Sequence, residues 1–181
     1  MILAGVAPPS ALATVPNPLS ALVDAAMARL QTADPVAAFK WLTNASIEDP
    51  VRAEQVVATV TADAVSQGMG ADDADYVRQI FTDQIDATEA VEYGRFSQWK
   101  LDPSGAPTTA PDLSASRSAI DALNHTMVAQ IAAQRQVMRS PDCAADRDDA
   151  VSQAVSTRQS DSLYRAALVF ATRSYCRPAN F

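Results

Sequence analysis

Arg29, Lys40, Asp49, Arg52, Thr88, Glu92 and Arg117 are the residues of this chain whose types and placement suit chemistry. Four are cations, in a protein with only 14 basic residues and a net charge of −7. Gathered around one inward-facing pocket with the carboxyl of Glu92, they suit a small dianionic organic acid. Arg52 comes three residues after Asp49, and Arg117 sits in SASRSAID, in the first turn of its predicted helix. A cation at a helix start opposes the positive end of the macrodipole. Two such arginines fit anion ligation better than helix design.

Each residue also has a plainer reading. Arg29 lies near the end of the first predicted helix, where a cation complements the dipole. Lys40 directly precedes Trp41, and a lysine there can snorkel along the surface. Asp49 stands at an N-cap position whatever else it does. Thr88 and Glu92 are four residues apart, so they share a helix face with Phe81, Ile85 and Val91. A glutamate on an apolar face must be paired or carry a raised pKa that keeps it protonated. The alternative is that Glu89 and Glu92 form a solvated edge. His125 is the one histidine, mid-helix, with no Cys, Asp or Glu at ligand spacing, so it reads as structural and no metal site is proposed. No activated serine or cysteine context accompanies it, which argues against a nucleophilic triad.

The elements that must position these groups read as helices throughout. Leu19, Leu22, Val23, Ala26 and Leu30 recur at helical spacing and predict a first helix over about 19–31. Asp34-Pro35 reads as N-cap and first residue of a second helix, to about Asn44. Asp49-Pro50 repeats the device and opens a third, to about Gln67, ended by Gly68 and Gly70. A long fourth helix covers about 72–100, with Tyr76, Ile80, Phe81, Ile85, Thr88, Val91 and Glu92 near one face. The stretch 102–112, DPSGAPTTAPD, carries three prolines and reads as a surface loop. A fifth helix spans 114–139, opened by Ser114, and Pro141 breaks the chain. Residues 144–176 are helical again, with an interruption near Gln159-Ser160. The expected fold is all-α, a single-domain bundle of about six helices.

Composition agrees. The 181 residues are enough for one domain with a sizeable core, 48% are hydrophobic and only five are glycine. The acidic balance argues against nucleic acid or an anionic membrane surface as partner. No run approaches the ~18 apolar residues of a membrane-spanning helix. Residues 1–18, beginning MILAGVAPPSALATVP, read as a signal-peptide remnant or a disordered tail, with small-x-small candidate cleavage sites at 4–7 and 11–13. The domain proper is then 19–181. Cys143 and Cys176 are an even pair, each beside a proline at a predicted helix end. In an exported chain they read as a disulfide, and in a cytosolic one as two buried thiols.

The segments LVDAAMARL, ADPVAAFKW, IEDPVRAEQ, QIDATEAVEYGRFSQWKL and PDLSASRSAIDALN resemble the exported, gamma-subclass chorismate mutases of bacteria. The resemblance runs from about 19 to 177. It implies an all-α fold, a secreted or periplasmic location, a homodimer, and one active site built within each chain. It implies the rearrangement of chorismate to prephenate, with no cofactor. Arg29 and Arg117 would clamp the substrate carboxylates, with Arg52 assisting. Lys40 and Glu92 would flank the ether oxygen, Glu92 as the protonated donor. Asp49 would position the ring hydroxyl, Thr88 would line the pocket, and a Cys143–Cys176 disulfide would staple the C-terminal region. One departure stands out: relatives can carry Gln where this chain has Val56. The second reading is a non-catalytic exported helical protein that binds aromatic or shikimate-derived acids.

Overall fold

The computed structural model describes residues 16–177, so the candidate cleavage sites at 4–7 and 11–13 lie outside the described residues. Among the described residues there are seven α-helices and no strand. They are α1 (Ser20–Leu30), α2 (Ala33–Thr43), α3 (Pro50–Ser66), α4 (Ala71–Leu101), α5 (Leu113–Gln134), α6 (Cys143–Thr157) and α7 (Ser162–Ala171). Two single 3₁₀ turns, Pro103–Gly105 and Val137–Arg139, lie in the connections.

α1 is the centre of the bundle. Leu19, Leu22, Val23, Ala26, Met27 and Leu30 are fully buried. Its small residues let α5, α6 and α7 approach it closely. α4 is the spine: its 31 residues span about 46 Å at the usual helical rise and carry α2, α3 and α7 along their length. Val77, Ile80, Phe81 and Val91 are buried on its inner face, while Tyr76, Ile85 and Thr88 are half-buried.

Side-chain caps set three of the seven helix starts, those of α3, α5 and α7. Asp49 accepts the Arg52 N–H at 3.1 Å, with Pro50 opening α3. The start of α2 differs from the Asp34 cap expected from the sequence. Thr32 is the N-cap without a side-chain bond, and Asp34 falls inside the first turn. There its carboxylate accepts a 2.7 Å hydrogen bond from Arg95 Nε, so an inter-helix ion pair has taken the place of the cap. α5 is capped by Asp112, which accepts the Ser114 N–H at 3.0 Å, rather than by Ser114 itself. α5 also stops at Gln134, short of 139, and a 3₁₀ turn fills the difference. The expected interruption near 159 is present: Gln159 has φ 48°, and Asp161 then caps α7 by accepting the Tyr164 N–H at 2.9 Å.

The C-terminal region backs the bundle. Cys143 and Cys176 are joined in a disulfide, tying the start of α6 to the segment after α7. Asp83, fully buried on α4, receives Arg173 at 2.7 Å and the Ser174 hydroxyl. Tyr76 donates to the Tyr175 carbonyl. Gly94 has a packing reason: a Cβ there would come within 2.6 Å of Leu163 on α7. With α6 and α7 packed behind α1 and α4, the remaining faces of α1 to α5 are left to enclose a cavity.

Candidate functional site

That cavity has a volume of about 280 Å³, a size suited to a small organic ligand. Arg29, Lys40, Asp49, Arg52, Thr88, Glu92 and Arg117 all line it. Five helices deliver them. Arg29 comes from the last turn of α1, Lys40 from the last turn of α2, and Asp49 and Arg52 from the start of α3. Thr88 and Glu92 come from the middle of α4, one turn apart, and Arg117 from α5. Arg117 is the fifth residue of α5, one position deeper than expected from the sequence and just past the first turn. Phe39, Ile47, Val56, Ile85, Leu113 and Ile120 supply apolar wall.

Lys40 and Glu92 form the polar floor. Lys40 Nζ donates to Glu92 Oε2 at 2.8 Å and also to the Ile47 carbonyl. Glu92 is 3% exposed. Burial pushes its carboxyl up from 4.5 to about 7, and the hydrogen bond and charge of Lys40 only partly oppose that. The contact is thus an ion pair for one protonation state and a charge–neutral hydrogen bond for the other. Both are populated near neutrality. The solvated-edge alternative fails for Glu92. Glu89 is half-buried on the same wall, and burial together with the Glu48 carboxylate raises its pKa.

Arg29 is 4% exposed, and desolvation lowers its pKa to about 10. Its Nε donates to Asn124 Oδ1 at 2.7 Å and its Nη1 to Thr88 Oγ1 at 3.3 Å. Thr88 in turn donates to the Gln84 carbonyl, so its hydroxyl oxygen faces the guanidinium. Arg52 pairs with Asp121 at 3.0 Å across the rim, an exposed contact that a ligand carboxylate can displace at little cost. Arg117 and Asp49 are both exposed where they line the cavity.

Two polar residues of this region escaped sequence reasoning. Asp121 and Asn124 follow Arg117 by four and seven residues on α5. That i, i+4, i+7 spacing puts all three on one helix face, and it was the available signal. His125, one position on, turns to solvent and lies 2.9 Å from Asp63 Oδ2, away from the cavity lining.

Comparison with known proteins completes the site's description. The chorismate mutase type II family matches residues 20–93. The secreted chorismate mutase of Mycolicibacterium smegmatis is 53% identical over 97% of this chain and 95% of its own length. The secreted chorismate mutase of Mycobacterium tuberculosis is 52% identical over 97% of this chain and 87% of its own length. The solved chorismate mutase of Burkholderia phymatum has the same fold, with a TM-score of 0.82 and 31% identity, covering 89% of this chain and 97% of that one. The chain belongs to the chorismate mutase family.

Proposed function

We propose that this cavity converts chorismate to prephenate, and that the protein is exported and acts outside the cytoplasm. The observation that carries the reaction is the Lys40–Glu92 contact, 2.8 Å long, on the wall of a cavity that three arginines also line. The reaction is a Claisen rearrangement: one C–O bond breaks, one C–C bond forms, and no proton changes hands. A catalyst must hold the reactive conformer and stabilise negative charge growing on the ether oxygen. A millionfold acceleration takes about 8 kcal/mol of such differential stabilisation.

The roles follow from the groups. Arg29, Arg117 and Arg52 bind the two carboxylates, since a guanidinium edge matches a carboxylate. The third N–H of Lys40 and a protonated Glu92 address the ether oxygen from either side. Two bound carboxylates make the site more negative, which favours the protonated Glu92 that the reaction needs. Asp49 positions the ring hydroxyl, and Thr88 holds Arg29 while lining the wall. Val56, 6% exposed, offers only a methyl surface to the same space.

Export is supported by the Cys143–Cys176 disulfide, a bond that reducing cytosol does not keep, and by the two relatives described as secreted. Residues 1–18 then serve as a signal-peptide remnant or tail, and 19–181 as the catalytic domain. No helix among the described residues is long and apolar enough to cross a membrane. The protein works as a homodimer, as the family resemblance implies, and light scattering checks that state directly. The reaction itself is tested by loss of chorismate absorbance with purified protein, no cofactor or metal added, at pH 5 and 7.5. Conversion to prephenate supports the reading. Tight binding without turnover would leave a protein that only holds aromatic acids.

A further inference from the structure

Arg29 differs from the paired cations of this fold. Lys40 is paired with Glu92, Arg95 with Asp34 and Asp161, and Arg173 with Asp83. Arg29 is more deeply buried than any of these, yet among the described residues its guanidinium meets no carboxylate within ion-pair distance. Its two hydrogen-bond partners, Asn124 and Thr88, are neutral. A buried charge left unpaired is costly, so its persistence calls for a function.

Asn124 is the stronger of those partners. It is 6% exposed in the middle of α5, three positions before a core stretch that holds Met127, Val128 and Ile131. Asparagine competes with the helix backbone for hydrogen bonds and is a poor choice for a helix interior. Its Oδ1 accepts from Arg29 Nε at 2.7 Å, while Thr88 takes one Nη1 proton. Of the five guanidinium N–H groups, three remain, including both on Nη2.

We propose that Asn124 is a positioning residue: a neutral acceptor that fixes the plane of Arg29 without discharging it, so that a full positive charge faces a substrate carboxylate. The proposal rests on the reading of the cavity as a chorismate site. The choice of amide over acid is the point. Aspartate has the same shape and would hold Arg29 as firmly. It would also supply the ion pair that the fold now lacks, and the field reaching the ligand would weaken. Pocket affinity and fold stability therefore respond to Asn124→Asp with opposite signs, whereas a residue with only a structural role would show no change in affinity.

The test measures KM and kcat for chorismate, the calorimetric Kd for chorismate, and thermal unfolding of Asn124→Asp beside the wild type. The expected result is KM and Kd raised about tenfold or more, equivalent to ~1.4 kcal/mol. kcat should change much less, and the melting temperature should not fall below that of the wild type. Unchanged KM and Kd in a folded variant overturn the proposal. If Asn124→Asp does not fold, Asn124→Leu replaces it, leaving Arg29 charged and removing only the acceptor: raised KM supports the proposal and unchanged KM overturns it. If the wild type does not turn chorismate over, the reaction assignment fails on its own. The Kd comparison then decides, weaker binding by the variant supporting the proposal and equal binding overturning it. A wild type that does not bind chorismate at all overturns both.

Discussion

Glu92 Oε2 lies 2.8 Å from the ammonium of Lys40, yet burial still holds the Glu92 carboxyl near 7. Proximity to a cation normally depresses a carboxyl pKa, so here desolvation outweighs the pair. Near neutrality a substantial share of the carboxyl therefore keeps its proton, the form that the proposed donor role uses.

The first consequence concerns pH. The proposed mechanism uses Glu92 in its protonated form, so kcat/KM is expected to fall as pH rises through about 7. Bound carboxylates favour the proton, so kcat alone should fall at a higher pH than kcat/KM. Glu92→Gln, which cannot ionise, should flatten both profiles. Wild-type activity independent of pH between 5 and 8 would remove the protonated-Glu92 role.

Stability carries the same signature with its own sign. The folded-state pKa of Glu92 lies above its ordinary 4.5, so the native state binds the proton more tightly than the unfolded chain. Its contribution to stability is present below 4.5 and is lost as pH rises to about 7. Glu92→Gln should therefore be more stable than the wild type at pH 8, by about 1–3 kcal/mol, and nearly equal to it at pH 4. Urea titrations at the two pH values measure this, and equal differences at both would count against the buried, proton-linked carboxyl.

Arg117 is exposed where it lines the cavity and makes no ion pair among the described residues. Arg117→Ala is expected to leave the thermal transition within error of the wild type. It should lower kcat/KM about a hundredfold or more, the scale of removing one preorganised charge contact. Normal rates in this variant and in Arg29→Ala would end the assignment of the carboxylate clamp.

The Cys143–Cys176 bond lies behind the bundle, and neither cysteine lines the cavity. Replacing both by serine is expected to cost roughly 3–4 kcal/mol of stability on the chain-entropy account. Turnover per folded molecule at low temperature should persist. Loss of activity in a variant that remains folded would show that the staple reaches the site.

Val56 lines the cavity and offers it only methyl groups. Val56→Gln brings amide N–H groups into the space that Glu92 faces, and donors to a carboxylate favour its ionised form. The fall in kcat/KM is expected to move below the wild-type midpoint of about 7. A midpoint that stays in place would mean the amide is turned elsewhere.

Much of this fold could be read before any coordinates, because hydrophobic periodicity and Asp-Pro pairs mark helices directly. Where α2 starts, a local signal was overridden by a distant partner. Asp34 had the sequence of a cap, but Arg95, 61 residues away, took its carboxylate. Gly94 is a costly residue for a helix interior by local propensity alone, and Leu163 of α7, packed against it, supplies the reason. The seven polar residues named from the sequence do surround one cavity. Their charges made them visible, whereas Asn124 is uncharged and its importance depends on the guanidinium it meets from another helix.

All seven of those side chains belong to one polypeptide, delivered by five of its own helices. On the proposed reading, catalytic capacity is a property of the subunit, and association is free to serve durability or solubility instead. In a mixed assembly of intact and inactivated copies, the rate should fall in simple proportion to the inactive fraction.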